Sequence, residues 1–182
     1  GRNRDNGSSD RATLRMRIAL VSLEQLWRDK EANFARCAAF VRQAAAQHCG
    51  LVVFPEMTLT GYTIELNDLA EPRDASPTVA RFAALATATQ TDIIFGAALC
   101  DSETTRPKNM LCLADRSGAG RPVYAKLHPF TFAGEDKVLD AGDGLAVLDA
   151  GGLRFGCGIC YDLRFPEPFS AMAQRCEGLV VI

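Results

Sequence analysis

The stretch of residues 153–167 constrains the fold most, because an apolar run leads directly into a tight turn and then into a helix start. Residues 153–159 are apolar enough for a buried strand, and Pro166 with Glu167 is typical of the first turn of a helix. Cys160 therefore falls at a strand-to-helix turn, where a side chain projects from the end of a sheet beside backbone N–H groups. A thiol in that position suits nucleophilic attack.

The rest of the chain alternates short apolar runs with helical periodicity. Two Gly-rich turns, 116–120 and 150–152, indicate hairpins, and the stretches 58–74 and 126–144 are predicted to be mostly loop. This alternation favours an α/β layered fold with a mixed sheet, and a sandwich of two sheets over a plain doubly wound domain. Strands are predicted at 17–22, 51–54, 92–100, 109–114, 122–125, 145–148, 153–159 and 179–182, and helices at 29–48, 76–90 and 166–174.

The length and the two ends of the chain predict its domain organisation. At 182 residues the chain is long enough for one well-cored domain. Residues 1–15 are polar and without an apolar core, so we expect a disordered leader or a cloning remnant before a domain at 16–182. Because the chain stops inside the apolar strand 179–182, we expect that domain to be incomplete at its C-terminus and to belong to a longer protein.

The charge and the cysteine content exclude several classes of function. A net charge of −2 gives no electrostatic basis for binding nucleic acid or an anionic membrane. No apolar run approaches the roughly 18 residues that span a bilayer. Seven cysteines without a secretory signal predict free thiols in a reducing, cytoplasmic compartment.

Three reactive residues each follow an apolar strand: Glu56, Lys126 and Cys160. One charged residue at a strand end is usually just solvated, but α/β folds gather their sites at such ends, so three of them predict a common cleft. The carboxylate can take the thiol proton as attack begins, while the ammonium and the backbone N–H of Tyr161 can stabilise an oxyanion. A general base, an oxyanion stabiliser and a nucleophile are thus all present, and none of them is a histidine.

The sequences around these residues resemble the three ordered motifs of the nitrilase (carbon–nitrogen hydrolase) superfamily. The motifs are Phe-Pro-Glu-Met at 54–57, Tyr-Ala-Lys-Leu-His-Pro-Phe at 124–130 and Gly-Ile-Cys-Tyr-Asp-Leu-Arg-Phe-Pro-Glu at 158–167. The resemblance implies Glu56 as general base, Lys126 as oxyanion stabiliser and Cys160 as nucleophile.

The same resemblance implies further features of the site and of the whole protein. A second glutamate that holds the lysine falls on Glu135, with Asp136 as its competitor. The implied fold is an αββα sandwich that pairs with a second copy, with no cofactor and no metal. Tyr161 and Asp162 after the nucleophile resemble the ω-amidase-like branch, so a small-molecule amide is the expected substrate, hydrolysed through a thioester with release of ammonia.

Other interpretations remain open on the sequence alone. The chain is alternatively a catalytically inactive fragment or pseudo-enzyme that serves as an interaction domain. Cys157 and Cys160 also form the C-x-x-C spacing of dithiol oxidoreductases, although Cys157 fits a buried strand better. Tyr62 and Arg164 are candidate substrate-binding residues, with a packed loop tyrosine and a surface ion pair as the structural alternatives.

Overall fold

A computed structural model describes residues 16–101 and 106–182, so the expectation for residues 1–15 lies outside the described residues. Within the described residues, three α-helices flank two mixed sheets, and none of these helices is both long and apolar enough to cross a membrane. The helices are α1 Lys30–Ala46, α2 Pro77–Thr89 and α3 Pro166–Met172. The strands are β1 Ile18–Leu20, β2 Leu51–Val53, β3 Glu71–Pro72, β4 Asp92–Cys100, β5 Lys108–Ala114, β6 Gly120–Ala125, β7 Val147–Ala150, β8 Leu153–Gly158 and β9 Gly178–Val181.

The first sheet has the order β1-β2-β4-β5-β6, with the short β3 pairing beside β4. Strands β1, β2 and β4 are parallel, while β5 is antiparallel to both β4 and β6. Because two reversals restore the original direction, β6 runs the same way as β2 and β4. The residues that follow β2 and β6 therefore emerge at the same edge of the sheet.

The second sheet, β7-β8-β9, packs against one face of the first sheet, so that four layers result. Alternate residues of the central strands face opposite ways. Val52 and Phe95 pack with the helices α1 and α2, whereas Val53 and Ile94 pack with the second sheet. Helix α3 covers the outer face of β8, which confirms the expected αββα sandwich with two mixed sheets.

The helices begin where the sequence predicts. The side chain of Asp29 accepts a hydrogen bond from the backbone of Ala32 at 3.0 Å, and that of Ser76 accepts one from Val79 at 3.1 Å, so α1 and α2 each have a side-chain N-cap. Helix α3 ends at Met172, two residues before the predicted end.

Several boundaries differ from the sequence prediction by a few residues, and two differences have an identifiable reason. The strand predicted at 145–148 lies at Val147–Ala150, because the hairpin turns on Gly151 and Gly152 alone, both with positive φ. The predicted loop 58–74 contains β3, whose two residues form a strand only by pairing with the end of β4. A pairing of this kind leaves no periodicity in the local sequence.

Candidate active site

Glu56 lies three residues beyond β2, in a turn that the neighbouring elements hold tightly. The side-chain amide of Gln25 donates to the backbone oxygens of Met57 and Thr58 at 2.9 and 3.1 Å. Thr58 and Gly96 of β4 exchange two hydrogen bonds, each of 2.9 Å. The backbone of Glu56 is therefore fixed against the end of the central strand.

Gly96 allows this turn to approach the sheet. A Cβ atom on Gly96 would lie 2.4 Å from the backbone nitrogen of Met57 and 3.0 Å from Glu56. We expect Gly96→Ala to displace Glu56 and to lower kcat/KM by about 10²-fold, since a shift of about 1 Å costs that much. The measurement is steady-state turnover of the substrate, with Gly144→Ala as the matched control, because a Cβ there meets nothing within 4 Å. Equal loss in both variants would contradict this role.

Lys126 follows β6 directly, and its ammonium is buried between two carboxylates. The Nζ atom lies 2.8 Å from Glu56 Oε1 and 2.8 Å from Glu135 Oε2, while the lysine side chain is 2% exposed. Its backbone nitrogen donates to Asn109 on β5 at 2.9 Å. Burial by itself lowers the pKa of Lys126, but the charges of Glu56 and Glu135 and their hydrogen bonds outweigh it, so the pKa is raised and the lysine stays charged.

Glu135 is completely buried and faces the lysine, whereas the neighbouring Asp136 is exposed. Besides Lys126, its carboxylate accepts hydrogen bonds from the backbone of Phe130 at 2.6 Å and from Asn109 Nδ2 at 3.0 Å. Of the two acidic residues that the sequence offered for holding the lysine, the structure places Glu135 in contact with it. Its role in catalysis stays a prediction.

Cys160 lies at the turn after β8 with a φ of 44°, in the left-handed region that is unfavourable for cysteine. Its backbone nitrogen donates to the carbonyl of Ile182 at 2.7 Å, which anchors the turn to the strand beside it. Cys160 is an exposed residue, whereas Cys157 is buried and burial raises the pKa of the Cys157 thiol to about 12. The geometry fits an exposed nucleophile beside a core cysteine better than a dithiol pair.

The Cys160 thiol lies near enough to Glu56, Lys126 and Glu135 for their charges to act on its pKa. The surrounding protein partly shields the thiol from water, and this raises its pKa most; the charge of Glu56 raises the pKa further, and Lys126 acts in the opposite direction. The cysteine is therefore a neutral thiol near neutral pH, which needs an adjacent base at the moment of attack. The sequence-predicted trio of Glu56, Lys126 and Cys160 is brought together.

The other predicted residues lie around this trio. The Tyr62 ring centroid is 5.8 Å from Lys126 Nζ, and burial together with the charge of Glu135 raises the pKa of its hydroxyl to about 12. Tyr161 lies in the short 3₁₀ turn Cys160–Arg164, and Arg164 is exposed at the end of that turn. Among residues 16–101 and 106–182 no group of three His, Cys, Asp or Glu side chains is arranged to hold a metal ion.

Two buried polar residues beside the site have contacts that the sequence did not predict. Asp162 accepts hydrogen bonds from Tyr124 Oη at 2.8 Å and from the backbone nitrogens of His128 and Ile159 at 2.9 and 3.1 Å. It therefore joins the Lys126 segment to the Cys160 turn. Asn109 joins the two glutamates, and the one sequence signal for it is a polar residue at the start of an apolar strand.

The profile of the Carbon-nitrogen hydrolase family matches residues 17–182. The chain belongs to the carbon–nitrogen hydrolase family. It is 32% identical to a hydrolase of Schizosaccharomyces pombe, over 83% of this chain and 49% of the relative, and 29% identical to human omega-amidase NIT2, over 90% and 62%. It is also similar to the crystal structure of Nit3 from Saccharomyces cerevisiae, a member of branch 10 of the nitrilase superfamily, with a TM-score of 0.77 and 27% identity over 91% of this chain and 63% of that chain.

These matches confirm the family and the ω-amidase-like resemblance expected from the motifs. This carbon–nitrogen hydrolase chain spans about half to three-fifths of the length of the curated relatives it matches. The activity of the whole protein is therefore a proposal.

Proposed function

We propose that this carbon–nitrogen hydrolase chain carries the catalytic residues of an amidase that hydrolyses a small-molecule amide through a thioester on Cys160. One observation supports the proposal above all: the Lys126 ammonium, the Glu56 carboxylate and the Cys160 thiol lie together at one edge of the sandwich. Relatives named omega-amidase support an amide as the substrate.

The first half of the proposed reaction forms the thioester. Glu56 accepts the thiol proton while the Cys160 sulfur bonds to the carbonyl carbon of the amide. Lys126 and the backbone N–H of Tyr161 stabilise the negative oxygen that forms. When the C–N bond breaks, Glu56 returns the proton to the nitrogen, which leaves as ammonia.

The second half releases the acid. A water molecule attacks the thioester carbon, Glu56 accepts a proton from that water, and Lys126 again stabilises the oxyanion. The C–S bond breaks, the carboxylic acid leaves, and the proton on Glu56 restores the thiol of Cys160. Glu135 keeps Lys126 in place throughout, and Tyr62 lines the entrance.

Trapping the intermediate tests this proposal. In the intact protein, rapid acid quenching during turnover of an ω-amide of a dicarboxylate leaves an acyl adduct on the peptide that contains Cys160, measured by mass spectrometry. Cys160→Ala abolishes both the adduct and hydrolysis, whereas Cys176→Ser, which alters a half-buried thiol on the turn before β9, retains both. A folded protein that hydrolyses no amide and forms no adduct would favour the alternative of an inactive interaction domain.

The protein is further proposed to be cytoplasmic and to form a homodimer. Both proposals rest on the family resemblance and on the cysteine content. Light scattering of the intact protein would measure the mass in solution, and a monomer would contradict the dimer.

A further inference from the structure

Asn109 on β5 contacts all three charged residues of the buried cluster formed by Glu56, Lys126 and Glu135. Its Nδ2 atom donates to Glu56 Oε1 at 2.7 Å and to Glu135 Oε1 at 3.0 Å. Its backbone oxygen accepts the hydrogen bond from the Lys126 backbone at 2.9 Å. The residue is 2% exposed, so water does not substitute for these contacts in the folded protein.

The two carboxylate oxygens of Glu56 differ in their contacts. Asn109 Nδ2 and Lys126 Nζ both donate to Oε1, at 2.7 and 2.8 Å. Among the described residues no nitrogen donor reaches Oε2, so this oxygen is the one left to accept a proton. The Glu56 carboxylate is close enough to the Cys160 thiol to raise its pKa. Two donors on one oxygen also fix the plane of the carboxylate.

The other half of the Asn109 amide shows what determines its orientation. Its Oδ1 atom is the one buried side-chain polar atom in residues 16–101 and 106–182 without a hydrogen-bond partner. An unsatisfied buried acceptor commonly costs about 1–3 kcal/mol of stability. Turning the amide over would place Oδ1 against two carboxylates, so the amide orientation follows the glutamates at a cost to stability. Costs of this kind occur at functional sites.

We infer that Asn109 is a positioning residue that holds Glu56 by Oε1 and keeps Oε2 directed at the Cys160 sulfur. The inference rests on the proposed function, in which Glu56 is the base. Because the amide is neutral, it orients the carboxylate without removing the negative charge that accepts a proton. A lysine or arginine in its place would add a second cation beside Lys126.

The test compares two asparagines in the intact protein. Asn109→Leu keeps the volume and removes the donor, and Asn109→Ala leaves space for a water that can donate instead. Asn33 is the control, because it is equally buried but its side chain contacts only the backbone of Leu26 and Leu59. The readouts are kcat and KM for amide hydrolysis, the pH profile of Cys160 alkylation by iodoacetamide, and the unfolding midpoint.

We expect Asn109→Leu to lower kcat about 10²-fold with little change in KM, and Asn109→Ala to lower it less. The pH profile of Cys160 alkylation moves to lower pH, because the Glu56 carboxylate, which raises the pKa of the thiol, is no longer held against the sulfur. The other groups that act on the thiol, Lys126, Glu135 and Tyr62, are unchanged. Asn33→Ala lowers the unfolding midpoint and leaves the alkylation profile in place.

The outcomes separate this inference from the proposed function. Wild-type kcat and an unmoved alkylation profile in Asn109→Leu, while Cys160→Ala abolishes hydrolysis, would overturn the inference alone. Hydrolysis that survives Cys160→Ala would overturn the proposed function. If Asn109→Leu does not fold, Asn109→Ala decides: unchanged kcat and profile refute the positioning role, and a reduced kcat with a shifted profile supports it.

Discussion

Replacing Lys126 by methionine is expected to lower the free energy of unfolding by about 3–5 kcal/mol near neutral pH, the usual cost of removing one partner from a buried charge pair. The ammonium is the single cation between Glu56 and Glu135 in the described part of the chain, and Glu135 is wholly buried. Without it, two carboxylates share the one amide of Asn109 and repel each other. Urea unfolding of the intact protein measures the loss.

The contribution of Lys126 to the free energy of unfolding depends on pH in a definite direction. The pKa of Lys126 is raised in the folded protein, because the two glutamates outweigh the effect of burial. A raised folded-state pKa means that the stabilisation is present below the unfolded value of about 10.5 and is lost as the pH rises through the folded value. The wild type therefore loses this contribution in alkali, and Lys126→Met has none to lose.

Lys30→Met is the matched control for this change. Lys30 is paired with Glu71 at 2.6 Å, but its side chain is 24% exposed, and Glu71 also accepts hydrogen bonds from Ser76 and Thr78. Removing this lysine is expected to cost less than removing Lys126, because the Lys30 side chain is partly exposed and Glu71 keeps the hydrogen bonds from Ser76 and Thr78. A loss for Lys126→Met no larger than that of the control would contradict a structural role for the buried cluster.

The local sequence pattern was enough to predict the three central residues of the site. Glu56, Lys126 and Cys160 stand after short apolar runs, and the direction of a strand places whatever follows it at one edge of a sheet. The position of Cys160 at a strand-to-helix turn followed from the apolar run 153–159 before it and from Pro166 and Glu167 after it, because proline favours the first turn of a helix. Alternation of strands and helices likewise predicted the sandwich.

Contacts between distant residues could not be predicted from the residues themselves. Asn109 meets Glu56 and Glu135 across 53 and 26 residues of chain, and its neighbours in sequence give it the appearance of an ordinary strand start. Glu135 lies in a short 3₁₀ turn without apolar periodicity, so the family resemblance alone pointed to it. These side chains meet because β5 pairs with β4 and β6, and that pairing depends on the whole sheet.

Glu56→Gln is expected to move two measurements in opposite directions. Glutamine keeps the shape and can still accept the hydrogen bonds of Lys126 and Asn109, but it cannot take a proton. Loss of a general base lowers kcat/KM by about 10²–10⁴-fold. The Glu56 carboxylate raises the pKa of the Cys160 thiol, second to burial, so its removal makes the thiolate easier to form. Alkylation of Cys160 by iodoacetamide then becomes faster at a given pH below the thiol pKa, and its profile moves to lower pH.

Asp136→Asn provides the matched control, because it removes the same charge from an exposed side chain next to Glu135. Alkylation is followed on the peptide that contains Cys160, since burial raises the pKa of Cys37 and Cys157 to about 12 and keeps those thiols unreactive. A base that acts on the sulfur makes hydrolysis and alkylation diverge in Glu56→Gln and leaves both unchanged in Asp136→Asn. If both rates instead fall together in Glu56→Gln, the carboxylate supports the fold of the turn and another group removes the proton.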